Sequence, residues 1–230
     1  MLFCLLLEIR RVLEPPLELV VVRAYKVEAN HEEEMLLFQE EYKPETKIIM
    51  PEQSHASFAP SPWVARFSSL AHGAVLDVAC GSGRHTRHFA EHNLSITAID
   101  RDISRLGTLI GHPGVTALEV DLESETPWRP EPRSFDTIVV TNYLWRPLLG
   151  DLVMALKPAG VLIYETFALG NEAYGKPSNP DFLLRPGELL DAAHAQLSVV
   201  AYEHGVIETP HKAVVQRICA IRDHAPARIS

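Results

Sequence analysis

Chemistry concentrates in one short stretch, Val75-Leu76-Asp77-Val78-Ala79-Cys80-Gly81-Ser82-Gly83-Arg84, where an apolar run breaks into a glycine turn that opens a helical pattern. Only glycine takes positive φ freely and lets the backbone pass close to a ligand, so Gly81 and Gly83 mark a strand end over which a bound molecule lies. A dinucleotide fingerprint would read G-x-G-x-x-G, but its third glycine position holds Thr86. Asp77 at the strand end would also repel a pyrophosphate. An acidic strand end suits a cationic ligand instead, such as an amino group beside a sulfonium.

Two further carboxylates extend this pattern. Ile96-Thr97-Ala98-Ile99-Asp100 ends the next apolar run, where a βαβ unit brings an acid beside a ribose and lets one carboxylate hold two vicinal hydroxyls. Taken alone, Asp100 is equally an acid that caps a following helix. Glu119-Val120-Asp121-Leu122 places a third acid at the same edge, positioned to accept a hydrogen bond from an adenine amino group.

The elements that must carry these residues follow from periodicity. Short β-branched runs alternate with amphipathic stretches from Trp63 onward, the pattern of a parallel sheet. Expected strands are 74–79, 95–100, 115–120, 135–140 and 160–166. Expected helices are Arg84 to His92, Ile103 to Ile110 and Leu144 to Leu156, the last stopping before Lys157-Pro158-Ala159-Gly160. After a helix from Pro186 to Ala195, the runs 197–207 and 213–222 flank a turn holding Pro210 and read as an antiparallel hairpin.

Composition limits the class. The 230 residues are 47% apolar and 22% charged, as in a globular chain, and 21 Lys and Arg against 30 Asp and Glu give a net charge of -9. Such a surface repels phosphate, which disfavours nucleic-acid partners. Cys4, Cys80 and Cys219 are too scattered for a disulfide framework or metal knuckle, so no metal is expected and a reducing, cytoplasmic setting fits. The apolar run Met1 to Leu7 is too short to span a bilayer and lacks the flanks of a secretory signal. Residues 1–49 hold ten Glu, six Lys or Arg and no glycine, and Met50 precedes a Pro-rich stretch. The expected division is therefore an N-terminal extension over 1–49, helical, strand-like or an upstream mis-start, and a main domain over 50–230.

VLDVACGSGRHT, ITAID, EVDLES, FDTIVVTNYL and LKPAGVLIYETF, in this order, resemble class I S-adenosylmethionine-dependent methyltransferases over about residues 60–222. The nearest branch holds the tellurite-resistance and quinone-biosynthesis type enzymes. The resemblance implies an α/β, Rossmann-like seven-stranded sheet, mostly parallel with a reversed last strand and helices on both faces. It also implies S-adenosyl-L-methionine as cofactor, with Asp77, Ala79, Gly81 and Gly83 toward the methionine part. Asp100 then serves the ribose and Asp121 the adenine, the segment from Asn142 lies over the sulfonium, and Arg101 and Leu122 are further cofactor-binding residues. Ala79 departs from the family pattern, where many members have glycine.

The acceptor is less legible. Methyl transfer needs mainly alignment and exclusion of water, so a general base is optional. Asn142 is followed by Tyr143-Leu144 rather than the Pro-Pro-aromatic of amino-directed nucleic-acid enzymes, and no cysteine stands there for cytosine chemistry. A small-molecule acceptor is expected. An RNA or protein methyltransferase, a non-catalytic cofactor-binding module and a dinucleotide oxidoreductase remain alternatives. Substrate-side candidates are Tyr143, Arg146 and Glu165, with Tyr174, Lys176 and Arg185 from the long turn-rich segment 167–185. Glu165 reads either as a substrate-facing carboxylate or as a buried acid paired with Arg146 or Arg185. The run Arg84, His85, Arg87, His88 reads as a solvated helix face, and Cys80 and Cys219 as packing residues.

Overall fold

A computed structural model describes residues 4–14, 17–27, 59–194 and 196–222, and divides the chain into two units, Met1–Glu52 and Gln53–Ser230. In the first unit, β1 (Cys4–Glu14) and β2 (Leu17–Val27) form an antiparallel hairpin with Cys4 opposite Val27 and Glu14 opposite Leu17. Met50, the expected boundary, lies outside the described residues.

The second unit is built on seven strands: β3 (Ala74–Val78), β4 (Ser95–Asp100), β5 (Val115–Glu119), β6 (Phe135–Thr141), β7 (Leu156–Phe167), β8 (Ser198–Ile207) and β9 (Ala213–Ile221). Their order across the sheet is β5-β4-β3-β6-β7-β9-β8. The first five are parallel, and β9 runs antiparallel to both β7 and β8, so the last strand is the reversed one.

Strand alternation sorts the core into two layers. Leu76, Val78, Ile138, Val140, Leu162 and Tyr164 point to one face, which α3 (Arg146–Ala155) and α4 (Glu188–Ala193) cover. Val75, Val139, Val161 and Ile163 point to the other, beneath α1 (Pro62–Phe67) and α2 (Arg84–Glu91). Asp77 and Glu165 have the parity of this second face, so burial on the α1 and α2 side follows from register alone.

Three expectations need correction. The stretch 103–110 is a 3-10 segment, Ile103–Leu109, broken where Gly107 turns to φ +55°. The helix expected from Leu144 starts at Arg146, with Pro147 in its first turn. The Lys157-Pro158-Ala159-Gly160 cluster is not a separate turn: β7 already begins at Leu156 and bulges there, because Phe135 pairs with Leu156 whereas Thr137 pairs with Val161. Arg222 stabilises that corner by donating to the carbonyls of Val153, Met154 and Leu156.

Candidate active site

The glycine turn after β3 bends by placing three residues of five in the left-handed region: Ala79 at φ +52°, Gly81 at +56° and Gly83 at +76°. The two glycines are required for different reasons. A Cβ on Gly83 would come within 2.6 Å of both Leu106 and Leu109, so this residue permits close packing of the 103–109 segment. A Cβ on Gly81 would meet nothing within 4 Å, so the space over this residue is open for a ligand. Ala79 adopts the same hand at a steric cost glycine would not carry.

Carboxylates tie the turn down. Asp77 is almost wholly buried and accepts the Thr86 hydroxyl at 2.6 Å. Burial pushes its pKa up to about 6 against the opposing hydrogen bond from Thr86. Its carboxylate therefore lies beneath the turn, not in the open space above it. Asp100 accepts the Gly81 N–H at 2.8 Å through Oδ2 and the Asp102 N–H at 3.1 Å through Oδ1. Farther along the same edge Asp121 is exposed and Leu122 buried, while Arg101 is exposed. The loop after β6 adds a buried donor, Trp145 Nε1, that has no hydrogen-bond partner among the described residues. Burial raises the Tyr143 hydroxyl well above its ordinary range, and the charge of the nearby Glu123 carboxylate, its hydrogen bonding to that hydroxyl and the charge of Asp121 add to it.

On the other side of Asn142 lies a cavity of about 310 Å³. Five separate segments wall it: Ser61 and Pro62 at the start of α1, Arg84 at the start of α2, Asn142 after β6, Glu165 and Phe167 on β7, and the β8–β9 turn with Val215 and Arg217 on β9. A cross-strand rung supports one wall, since Arg217 stands opposite Glu165 on β7 and opposite Glu203 on β8. The guanidinium donates to Glu165 at 3.1 Å and to Glu203 at 2.6 Å and lies 4.9 Å over the Trp63 ring. His85 secures the opposite wall by accepting the Ser61 N–H at 3.1 Å. Burial lowers its pKa to about 3, so the imidazole stays neutral and can keep that acceptor role.

Residues 75–160, which include the glycine turn and all three acidic strand ends, match a family described as a methyltransferase domain. This segment is similar to methyltransferase domains. No curated protein matches the sequence. Solved structures share the fold at low identity. An S-adenosylmethionine-dependent methyltransferase from Mesorhizobium loti is 17% identical with a TM-score of 0.53, covering 69% of this chain and 98% of that one. TehB from Haemophilus influenzae is 15% identical with a TM-score of 0.55, covering 70% and 61%. A 1,6-didemethyltoxoflavin-N1-methyltransferase from Burkholderia thailandensis, solved with its substrate and S-adenosylhomocysteine, is 16% identical with a TM-score of 0.50, covering 70% and 76%.

Within the seven-stranded unit, the expected residues separate into two groups. Asp77, Ala79, Gly81, Gly83 and Asp100 gather around the turn, and Asn142 and Glu165 reach the cavity wall. Arg146, Arg185, Tyr174 and Lys176 do not. Arg146 donates to both oxygens of Glu188, at 2.7 and 3.0 Å, and to the carbonyls of Asp181 and Leu183, fastening the long loop to α3. Burial works against the Glu188 charge, yet the hydrogen bonds from Arg146 and Arg185 hold its pKa down at about 2. Arg185 shares that carboxylate, Tyr174 lies exposed against Lys212, and Lys176 is exposed. Glu165 pairs with Arg217, a partner not foreseen for it. The run after Gly83 is not a solvated face either, since His85 is buried and Arg84 is half-buried on the cavity wall. Sequence reasoning missed Ser61, His211 and Arg217. Only Arg217 carried a signal, a lone charge inside the apolar run AVVQRICAI.

Proposed function

We propose that this methyltransferase transfers a methyl group from S-adenosylmethionine to a small organic acceptor. The observation that carries the reading is that an open glycine turn follows β3 while a small cavity, lined by Asn142, lies at the end of the neighbouring parallel strand β6. The residues present fit the cofactor. Space over Gly81 admits a ligand backbone, Asp100 stands half-buried at that turn, and the unpartnered donor of Trp145 matches a polar heterocycle. Leaving that donor buried and unpaired costs about 1–3 kcal/mol, which a ligand acceptor would relieve.

When bound, S-adenosylmethionine supplies a methyl carbon activated by positive sulfur. The protein contributes position. Asp100 orients the ribose, Asp121 accepts from the adenine amino group, and Arg84, which has no hydrogen bond or ion pair among the described residues, takes the methionine carboxylate. Asn142, held at φ +55°, donates its N–H to the Glu165 carbonyl at 2.9 Å and so joins the two sites. The walls of the cavity position the acceptor beside the methyl carbon.

A cavity of about 310 Å³ suits a small molecule, and the -9 charge disfavours a polyanion. The toxoflavin-type neighbour, which carries a small heterocyclic substrate, is consistent with this. Melting the protein with S-adenosylmethionine, S-adenosylhomocysteine or NAD tests the reading. Stabilisation by the first two alone is expected. Stabilisation by NAD alone would return the turn to dinucleotide chemistry.

A further inference from the structure

We propose that Glu165 is a catalytic residue that holds the acceptor's hydroxyl or amino group by a hydrogen bond and takes its proton as the methyl group arrives. The acceptor class is therefore protic, with O–H or N–H as the methylated group. This rests on the function proposed above and assigns the chemistry of its cavity.

The argument begins with register. Glu165 has the parity of Ile163, so its side chain faces the α1 side and reaches the cavity wall, while Tyr164 faces the opposite layer. A carboxylate there is only 7% exposed, which would be costly without compensation. Compensation reaches one oxygen alone. Arg217 donates to Oε2 at 3.1 Å, and Oε1 has no hydrogen-bond partner among the described residues.

The rung fixes the direction of the carboxylate. Arg217 is held from the far side by Glu203, which also pairs with Arg66 at 3.0 Å, and both guanidiniums lie over the Trp63 ring. Two cations and two carboxylates leave this network neutral, so Oε1 is a fixed acceptor with no competing cation of its own. The other wall carboxylate, Glu208, is exposed and paired with Lys212 at 3.1 Å. Phe167, Val215 and Ile207 surround the cavity with apolar surface, which strengthens a hydrogen bond made inside it.

The step balances without a further reagent. A bond forms between the acceptor oxygen or nitrogen and the methyl carbon as the carbon–sulfur bond breaks, and that electron pair stays on sulfur, leaving a neutral thioether. The acceptor proton passes to Glu165 Oε1 and from there to solvent. A thiol already ionised as thiolate would have no proton to give this group.

The test supplies the full chain with methyl-labelled S-adenosylmethionine and a small-molecule cell extract, identifies the labelled product by mass spectrometry, and repeats the assay with Glu165→Gln and Glu165→Asp. Calorimetry with S-adenosylhomocysteine reports on each variant's fold and cofactor site. The expected product carries its label on oxygen or nitrogen. Glu165→Gln should lose at least about 100-fold in transfer with S-adenosylhomocysteine affinity unchanged. Glu165→Asp, which keeps the charge, should lose less. Label on sulfur or carbon, or a Gln variant as fast as the parent, would overturn the assignment while leaving cofactor binding intact. Failure of the parent chain to bind S-adenosylhomocysteine would instead overturn the underlying function.

Discussion

The glycine turn after β3 and the cavity at the end of the neighbouring strand β6 are made in opposite ways. The turn is local: Asp77, Ala79, Gly81, Gly83 and Thr86 fall within ten positions, and Asp100 joins them from the adjacent strand. The cavity is assembled from residues as far apart as Ser61 and Arg217, brought together by the reversal of β9 between β7 and β8. Contiguity suits a site whose ligand is the same wherever the domain occurs. Assembly from distant segments lets the acceptor wall change by substitution in the hairpin or α1 without disturbing the turn.

If the two regions are energetically separate, variants should divide cleanly between them. Arg217→Met is expected to have the largest effect, since it strands Glu165 and part of Glu203 without their cation. A stability loss of about 3–5 kcal/mol, seen as a fall in Tm, should accompany unchanged S-adenosylhomocysteine affinity in the folded fraction. Weakened cofactor binding in that fraction would join the two regions. Asp100→Ala should do the reverse, lowering cofactor affinity by about 1–3 kcal/mol in calorimetry while the Arg217 rung is undisturbed.

Asp77 sharpens the contrast through pH. Its folded pKa, pushed up to about 6 by burial, exceeds the ordinary value of 3.8, so the folded state binds the proton more tightly. Stability from this group is complete below pH 3.8 and is lost as pH rises through 6. Asp77→Asn should therefore raise the unliganded protein's stability by about 1–3 kcal/mol at pH 8, with the gain disappearing below pH 4 in denaturant titrations. His85 on the cavity wall has the opposite dependence. Its folded pKa lies at about 3, below the ordinary 6.5, so its contribution is complete above pH 6.5 and is lost as pH falls toward 3. Ala79→Gly should have the smallest effect, a gain of about 0.5–1 kcal/mol from relief of a positive φ, measured as a small rise in Tm.

Legibility in the sequence follows the same division. Strand order of type, the glycine turn and the acidic strand ends were readable because each depends on neighbours two to four positions away. The bulge at Leu156–Gly160 was not, since the corner is held by Arg222, which follows the neighbouring strand β9 but lies more than 60 positions later in the sequence. Arg146 was read as a substrate residue because a guanidinium near a strand end looks the same in sequence whether it faces a ligand or Glu188. Glu165 was singled out, but its partner was not, because the Glu165–Arg217–Glu203 rung exists only once β7, β9 and β8 are in register.

Calorimetric titration of the full chain with S-adenosylmethionine and with S-adenosylhomocysteine is the most direct test of the central claim that the open turn over Gly81 is a cofactor site. The account predicts saturable binding of both, weakened by Asp100→Ala and unaffected by Glu165→Gln. Absence of binding by either compound would contradict it.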